Sequence, residues 1–287
     1  RGSSAANCRG CLPWASRLQV WLALHPVIWA NVGLEASWSV TAPDTETPAA
    51  TMQVHQQGTR MLKLYIGNKN YSSWSMRPWV LLREAGIDFE EVMVRFDSFA
   101  LGSGFRNTMD AVSPVGKVPV LVDGDLTVWD TLAIAEYVAE QFPDKQLWPA
   151  ERTARARARS ICAEMHSGFT GLRSACPMNI DAHLPTVGAL ALRDKPAVRK
   201  DLERLVAMWS GLLAAHDGPM LFGAFSVADA YFSPVVMRLK TYALPVPADI
   251  AAYMERVCAL PGVKAWMDGA RAEKDFIDFD EPFRLPP

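Results

Sequence analysis

The sequence predicts two architectures in succession: an α/β domain built on a mixed four-strand sheet, then an all-helical domain. Three observations predict this. Short alternating runs and a tight Asp-Gly turn occur between Leu62 and Val128. After the stretch from Pro143 to Pro149, strand signals vanish and helical periodicity takes over. Strands followed only by helices imply a separate helical bundle.

The first element is Leu62 to Ile66, an alternating run closed by Gly67-Asn68-Lys69-Asn70. Met76, Trp79, Val80 and Arg83 then recur at helical spacing, and Gly86 stops that helix. Pro78 is expected in its first turn, with Ser73 to Ser75 at the cap. Glu90 to Arg95 reads as a second strand, with Val92 and Val94 on one face. Strand, helix, strand favours a parallel pair with a right-handed crossover. Phe96 to Ser113 is irregular and holds at most a short helix. Val118 to Val122 and Leu126 to Val128 flank Asp123-Gly124-Asp125 and form a hairpin. Thr131 to Phe142 is helical, with Leu132, Ala135, Ala139 and Phe142 on one stripe. The order β-α-β, loop, β-β-α is thioredoxin-like. Helices are expected over Glu151–Arg173, Pro196–His216, Val227–Thr241, Ala248–Ala259 and Val263–Ala272. Ser226-Val227-Ala228-Asp229 has capping-box form, a folding signal. The expected organisation is 61–143 for the sheet domain, 150–275 for the helical domain and 276–287 for a tail.

The chain of 287 residues is half apolar, enough for one large domain or two small ones. Its 29 basic and 31 acidic residues give a net charge of −2, which argues against nucleic acid or a membrane surface as main partner. Five scattered cysteines suggest a reducing, cytoplasmic setting and no disulfide framework.

Residues 1–60 differ from the rest. Periodicity is poor, and the apolar run Leu18–Leu34 is broken by His25-Pro26, which speaks against a membrane helix. Arg9 and Arg17 precede that run as in a signal peptide, without a clean cleavage site after it. Thr41 to Pro48 reads as a linker. Cys8 and Cys11 have CxxC spacing but lack the further ligands or the strand and helix that zinc or redox chemistry needs. The segment is expected to be an atypical extension, disordered or non-native, with Met61 or Met52 the natural start; a regulatory tail is the alternative.

Three places could carry chemistry. Ser72 lies at the mouth of a helix, where free N–H groups and the helix dipole favour an anion such as a thiolate. A hydroxyl donating to sulfur lowers a thiol's pKa. The alternative is that Ser72, Ser73 and Ser75 only cap the helix. Val118-Pro119 opens a strand at which backbone could pair with an extended peptide. Asp130-Thr131 starts a helix, where Thr131 could hold a carboxylate and Asp130 an ammonium, or both could be caps. Met165, His166, Phe169 and Arg173 recur at helical spacing and could line an electrophile pocket or fill the bundle core. The five histidines lack metal-binding spacing, so no metal is expected. Gly102-Ser103-Gly104 lacks a dinucleotide fingerprint, and no GxSxG supports a serine hydrolase. The arginines from Arg152 to Arg159 read as a solvated face.

The segments SSWSMRPWVLLREAGIDFEEV and SPVGKVPVLVDGDLTVWDTLAIAEYVAEQFPD, with FSVADA further on, resemble the soluble glutathione S-transferases from Met61 to about Asp275. The likeness is greatest to the bacterial and zeta-like classes that use serine. It implies glutathione as co-substrate, conjugation to an electrophile in detoxification, and a homodimer. It implies Ser72 as activator of the glutathione sulfur, with Ser73 as a second donor. Val118, before Pro119, would pair with the cysteinyl backbone, Lys117 would face the glycyl carboxylate, and Asp130 and Thr131 would hold the γ-glutamyl end. Trp74 stands where the zeta pattern has cysteine, and Asp-Thr replaces the commoner Glu-Ser or Gln-Ser. Isomerase or peroxidase variants and a non-catalytic interaction module are the competing readings.

Overall fold

A computed structural model describes residues 61–284. The expectations for residues 1–60 lie outside the described residues, as does the end of the tail.

Four strands form one mixed sheet: β1 (Leu62–Ile66), β2 (Phe89–Met93), β3 (Val120–Asp123) and β4 (Leu126–Trp129). Their spatial order is β2-β1-β3-β4. β1 and β2 are parallel, with Leu64 opposite Glu91. β3 runs antiparallel to β1, Leu121 opposite Leu64, and β4 antiparallel to β3. The alternation Leu62, Leu64, Ile66 buries one face of β1. The hairpin turn has Gly124 at φ 59°, a backbone conformation that glycine adopts without steric cost. Helices α1 (Ser73–Glu84) and α3 (Thr131–Gln141) accompany the sheet, with α2 (Gly104–Val112) in the connecting segment.

The rest is helical: α4 (Arg152–Ser167), α5 (Thr170–Ala175), α6 (Pro185–Asp194), α7 (Pro196–Ala215), α8 (Val227–Thr241), α9 (Ala248–Ala259) and α10 (Pro261–Glu273). One apolar core runs from Leu64 and Leu82 through Ile161 to Trp209, Tyr253 and Trp266. It joins the sheet layer to the bundle chiefly through α1, which packs on α8 and α10. Helix α8 is buried nearly all round, as suits a bundle centre. Its capping box is formed: Asp229 accepts from the Ser226 N–H at 2.9 Å, and Ser226 Oγ accepts from the Ala228 N–H at 3.3 Å. Among the described residues no helix is long and apolar enough to cross a membrane, and no cluster of three or more His, Cys, Asp or Glu could hold a metal.

Three local expectations change. The N-cap of α1 is Ser72, so Pro78 is its sixth residue, inside the helix. A proline there has no N–H for the Trp74 carbonyl. The helix expected over Glu151–Arg173 is two helices, because Gly168 and Phe169 interrupt it and Phe169 turns left-handed at φ 54°. A Cβ on Gly168 would lie 2.7 Å from the Glu164 carbonyl oxygen, closer than a side chain tolerates. Helix α6 lies in a stretch that periodicity did not mark, squeezed between two prolines, Pro185 and Pro196.

Beyond α10 the chain folds back over the sheet domain. Asp275 accepts from Asn68 Nδ2 at 2.6 Å and also pairs with Arg95. Phe279 packs on Phe99 with ring centres 4.9 Å apart.

Candidate active site

The site forms where β1 gives way to α1. Gly67 lies close against Phe96: a Cβ there would sit 2.3 Å from the ring and would displace it. The following loop is pinned from several sides. Asn68 accepts from the Phe96 N–H at 2.7 Å, Asn70 donates to Asn179 at 3.0 Å, and the Tyr71 hydroxyl donates to Glu281 at 2.6 Å. These bonds set Ser72 at the helix mouth, buried and with its side chain at the cap position. Ser72 Oγ accepts weakly from the Ser75 N–H at 3.4 Å and lies 2.7 Å from Ser75 Oγ. Ser75 Oγ in turn accepts from the Gly67 N–H at 3.1 Å. Ser73 is not engaged as a cap: its Oγ accepts from Arg238 Nη2 at 3.1 Å, across the domain boundary.

Ser72 and Ser73 open on a cavity of about 690 Å³. Lys117, Val118, Arg173 and Arg238 are also on its wall. Its apolar surface comes from Trp74, Phe96, Phe99, Phe105 and Met178. The Val118-Pro119 peptide is cis; Pro119 is buried while Val118 faces the cavity.

Asp130 and Thr131 lie in an adjoining network and not on that wall. Thr131 is buried, and its Oγ1 is 2.6 Å from the Tyr231 hydroxyl. Tyr231 is 3.1 Å from His166 Nδ1, and His166 Nε2 is 3.3 Å from an Asp130 carboxylate oxygen. The Asp130 backbone sits at φ 74°, and its other carboxylate oxygen caps α3 through the Leu132 N–H at 2.9 Å. Trp74 connects the two regions: it lines the cavity, and its ring meets His166 edge-on at 5.0 Å.

The four residues read at helical spacing part company. Met165 and Phe169 are buried in the core, His166 joins the Asp130 network, and Arg173 reaches the cavity. Met165 and His166 part because adjacent residues of one helix point about 100° apart, and the break at Gly168 and Phe169 puts Arg173 on a separate helix, α5.

Three arginines gather here. Arg77 is buried between the rings of Trp74 and Tyr231, 4.3 Å from each. Its Nε and Nη1 make no hydrogen bond among the described residues. Arg173 lies 4.9 Å from the Trp74 ring centre and donates from Nη1 to the carbonyls of His166 and Gly168. Arg238 donates from Nη1 to the Cys176 carbonyl at 2.5 Å. Burial, reinforced by the charge of Arg173, pulls Arg77 and Arg238 down to about 10, still protonated at neutral pH. Burial lowers Arg173 as well. Asp280, the acidic residue on the wall, is pushed up to about 6 by burial, against the pull of Arg238.

Sequence reasoning missed Arg77, Tyr231 and Arg238. Tyr231 follows the capping box and reads as a core aromatic. Arg238 reads as an ordinary cation in a helix's last turn. The one available signal was position: Arg238 falls on a helix that is otherwise apolar at nearly every residue from Val227 to Leu239.

Family models match both parts of the chain: "Glutathione S-transferase, N-terminal domain" over residues 71–141 and "Glutathione S-transferase, C-terminal domain" over residues 156–269. The chain is 31% identical to glutathione S-transferase GstA of Escherichia coli O157:H7 over 200 residues, 66% of this chain and 90% of that protein. It is 27% identical to a zeta-class glutathione S-transferase of Euphorbia esula, over 64% of this chain and 78% of that one. A glutathione transferase homolog from Burkholderia, solved with bound glutathione, superposes with a TM-score of 0.56 at 28% identity, over 74% of this chain and 99% of that one.

Proposed function

Because this chain belongs to the glutathione S-transferase family, we propose that it is a serine-type glutathione transferase that ionises the bound thiol and adds it to a small electrophile. The observation that carries this reading is one cavity lined by Ser72, Ser73, Lys117 and Val118, which come from two distant stretches of chain. The likeness to a Burkholderia homolog that holds glutathione supports the same ligand here.

In this reading the tripeptide lies along the segment that leads into β3. Val118 offers its backbone to the cysteinyl unit, and Lys117 meets the glycyl carboxylate as a charge-assisted partner. The γ-glutamyl end reaches Asp130 and Thr131. The sulfur sits at the mouth of α1, beside Ser72.

Ser72 has one hydroxyl proton and shares it with Ser75. If Ser75 donates to Ser72, the Ser72 proton turns toward the sulfur. A donor stabilises S⁻ over SH and lowers the thiol's pKa. The thiol proton leaves to solvent, the thiolate pair forms the carbon–sulfur bond, and the leaving group departs with its own bonding pair. Free thiols titrate near 8.5, so a modest depression suffices to raise the thiolate fraction at neutral pH.

The serine assignment also favours the zeta-like class, although Trp74 fills the position of that pattern's cysteine. A homodimer belongs to the same proposal and is tested by sedimentation. The deciding experiment for the chemistry is ultraviolet titration of the glutathione thiolate on wild type and on Ser72→Ala. The reading expects a depressed titration in wild type, moved upward in the variant. A wild type that leaves the thiol at its free value and conjugates no electrophile would favour a non-catalytic module.

A further inference from the structure

We propose that the second substrate is an anion: a flat, apolar electrophile carrying a carboxylate, held by Arg173 on the helical wall of the cavity. This rests on the transferase reading and names the substrate class of the same site.

Charge is the first observation. Arg77, Arg173 and Arg238 cluster around Trp74 and Ser73, yet none has a carboxylate oxygen within salt-bridge distance among the described residues. Lys69, by contrast, is paired with Glu91 at 2.8 Å. The partners of the three arginines are backbone carbonyls, a serine and aromatic rings, which satisfy hydrogen bonds without neutralising charge. Buried charges without a counter-ion are costly, so a set of three is a standing demand for an anion.

Geometry is the second. Arg173 commits only Nη1 to the chain, to the His166 and Gly168 carbonyls. Its Nε and Nη2 make no hydrogen bond among the described residues, and it lines the cavity half-buried. A guanidinium with two free, coplanar donors suits a bidentate carboxylate. Arg238 is more occupied, and its part is to position Ser73 and add field.

The third observation is the remaining wall. Trp74, Phe96, Phe99 and Phe105 surround the same space and suit a planar, unsaturated body. The ionisable groups of glutathione are already matched in the transferase reading: thiolate at Ser72, glycyl carboxylate at Lys117, γ-glutamyl end at Asp130 and Thr131. Arg173 is therefore left for the electrophile. Asp280 is the one acid on the wall; it is mostly ionised at neutral pH, but none of its carboxylate oxygens lies within salt-bridge distance of Arg77, Arg173 or Arg238.

The test pairs two isosteric, unreactive probes, 3-nitrobenzoate and 3-nitrobenzamide, titrated calorimetrically into the glutathione-saturated protein. The expected result is roughly ten-fold or more tighter binding of the benzoate, in line with a charge-assisted hydrogen-bonded pair, weakening as salt rises. Arg173→Gln should cut the benzoate-to-amide ratio by about ten-fold, and Arg173→Lys should restore part of it. Equal binding of the probes, a ratio untouched by Arg173→Gln, or displacement of benzoate by glutathione would each overturn the proposal, the last by giving Arg173 to the tripeptide. If Arg173→Gln does not fold, the wild-type ratio decides. Rates with 4-chloro-3-nitrobenzoate and its amide then separate the two readings. A benzoate preference in binding without any conjugation would sink the transferase reading and leave the anion site standing. Conjugation that favours the amide would do the reverse.

Discussion

The hydroxyl oxygens of Ser72 and Ser75 lie 2.7 Å apart at the mouth of α1, and Ser75 also accepts the Gly67 N–H at 3.1 Å. The proposed activating serine is thus one end of a short chain of hydrogen bonds that runs back to Gly67, the first residue after β1. Ser75 is a positioning residue in this arrangement, since it is buried and touches the cavity only through Ser72.

The two serines should therefore fail differently. Ser72→Ala is expected to raise the pKa of bound glutathione and to lower conjugation, and as the loss of the α1 N-cap to cost about 0.5–2 kcal/mol. Ser75→Ala strands the buried Gly67 N–H, at a cost of about 1–3 kcal/mol. That corresponds to a drop of roughly 2–4 °C per kcal/mol in a domain of this size. Thermal melts and thiolate titrations of both variants check this. An unchanged titration in Ser72→Ala would remove this serine from the mechanism and make Ser73 the next candidate.

Thr131 is expected to matter for the γ-glutamyl end of the tripeptide. Its hydroxyl is shared with Tyr231 at 2.6 Å, so with His166 donating from Nδ1 to Tyr231, Tyr231 donates to Thr131 and leaves the Thr131 proton for a carboxylate. Thr131→Val should weaken glutathione by about ten-fold or more, the usual value of a hydrogen bond to a charged group. Cysteinylglycine, which has no γ-glutamyl carboxylate, should lose less. Calorimetry with both ligands decides, and equal losses would place that carboxylate elsewhere.

Asp280 gives the protein a dependence on pH whose sign follows from burial. Its folded pKa is raised to about 6 from 3.8, so the folded chain keeps a proton that the unfolded chain releases. This group's contribution to stability falls as pH rises from about 4 to about 6 and is constant above. Asp280→Asn removes the titration. Its melting temperature should exceed that of wild type by a margin that grows over the same interval and then levels off. A margin independent of pH would show that Asp280 titrates normally.

The capping box of α8 should be the costliest polar site to lose outside the cavity. Asp229 is fully buried and accepts from the Leu221 N–H at 3.2 Å, the Ser226 N–H at 2.9 Å and the Tyr253 hydroxyl at 3.0 Å. Asp229→Ala leaves these donors, and the Ser226 hydroxyl that donates to the same carboxylate at 3.2 Å, without that acceptor, at on the order of 3 kcal/mol or more. Denaturant melts measure it. A loss within the range of a surface substitution would mean that the donors find other partners.

By itself the sequence determined the order of the elements, the sheet-then-bundle architecture and the α8 cap, because these depend on local signals. Alternation in Leu62 to Ile66, the Asp-Gly turn and the Ser226–Asp229 spacing each act within a few residues. It also pointed to Ser72 and Val118, through their places at the start of a helix and of a strand, and to Lys117 through family resemblance. Only the tertiary structure decided what shares the cavity with them. Arg173 turns inward because Gly168 and Phe169 break a helix that the periodicity carried straight on. Arg238 meets Ser73 across 165 positions of sequence, and Tyr231 meets Thr131 across 100. No window of sequence records such a pairing, since a helix's own pattern says which side is apolar but not which distant side chain will stand opposite. The cluster of Arg173 and Arg238 on the cavity wall and Arg77 behind Trp74, none within salt-bridge distance of a carboxylate among the described residues, is for that reason a property of the packing of α1, α5 and α8 and not of any one of them.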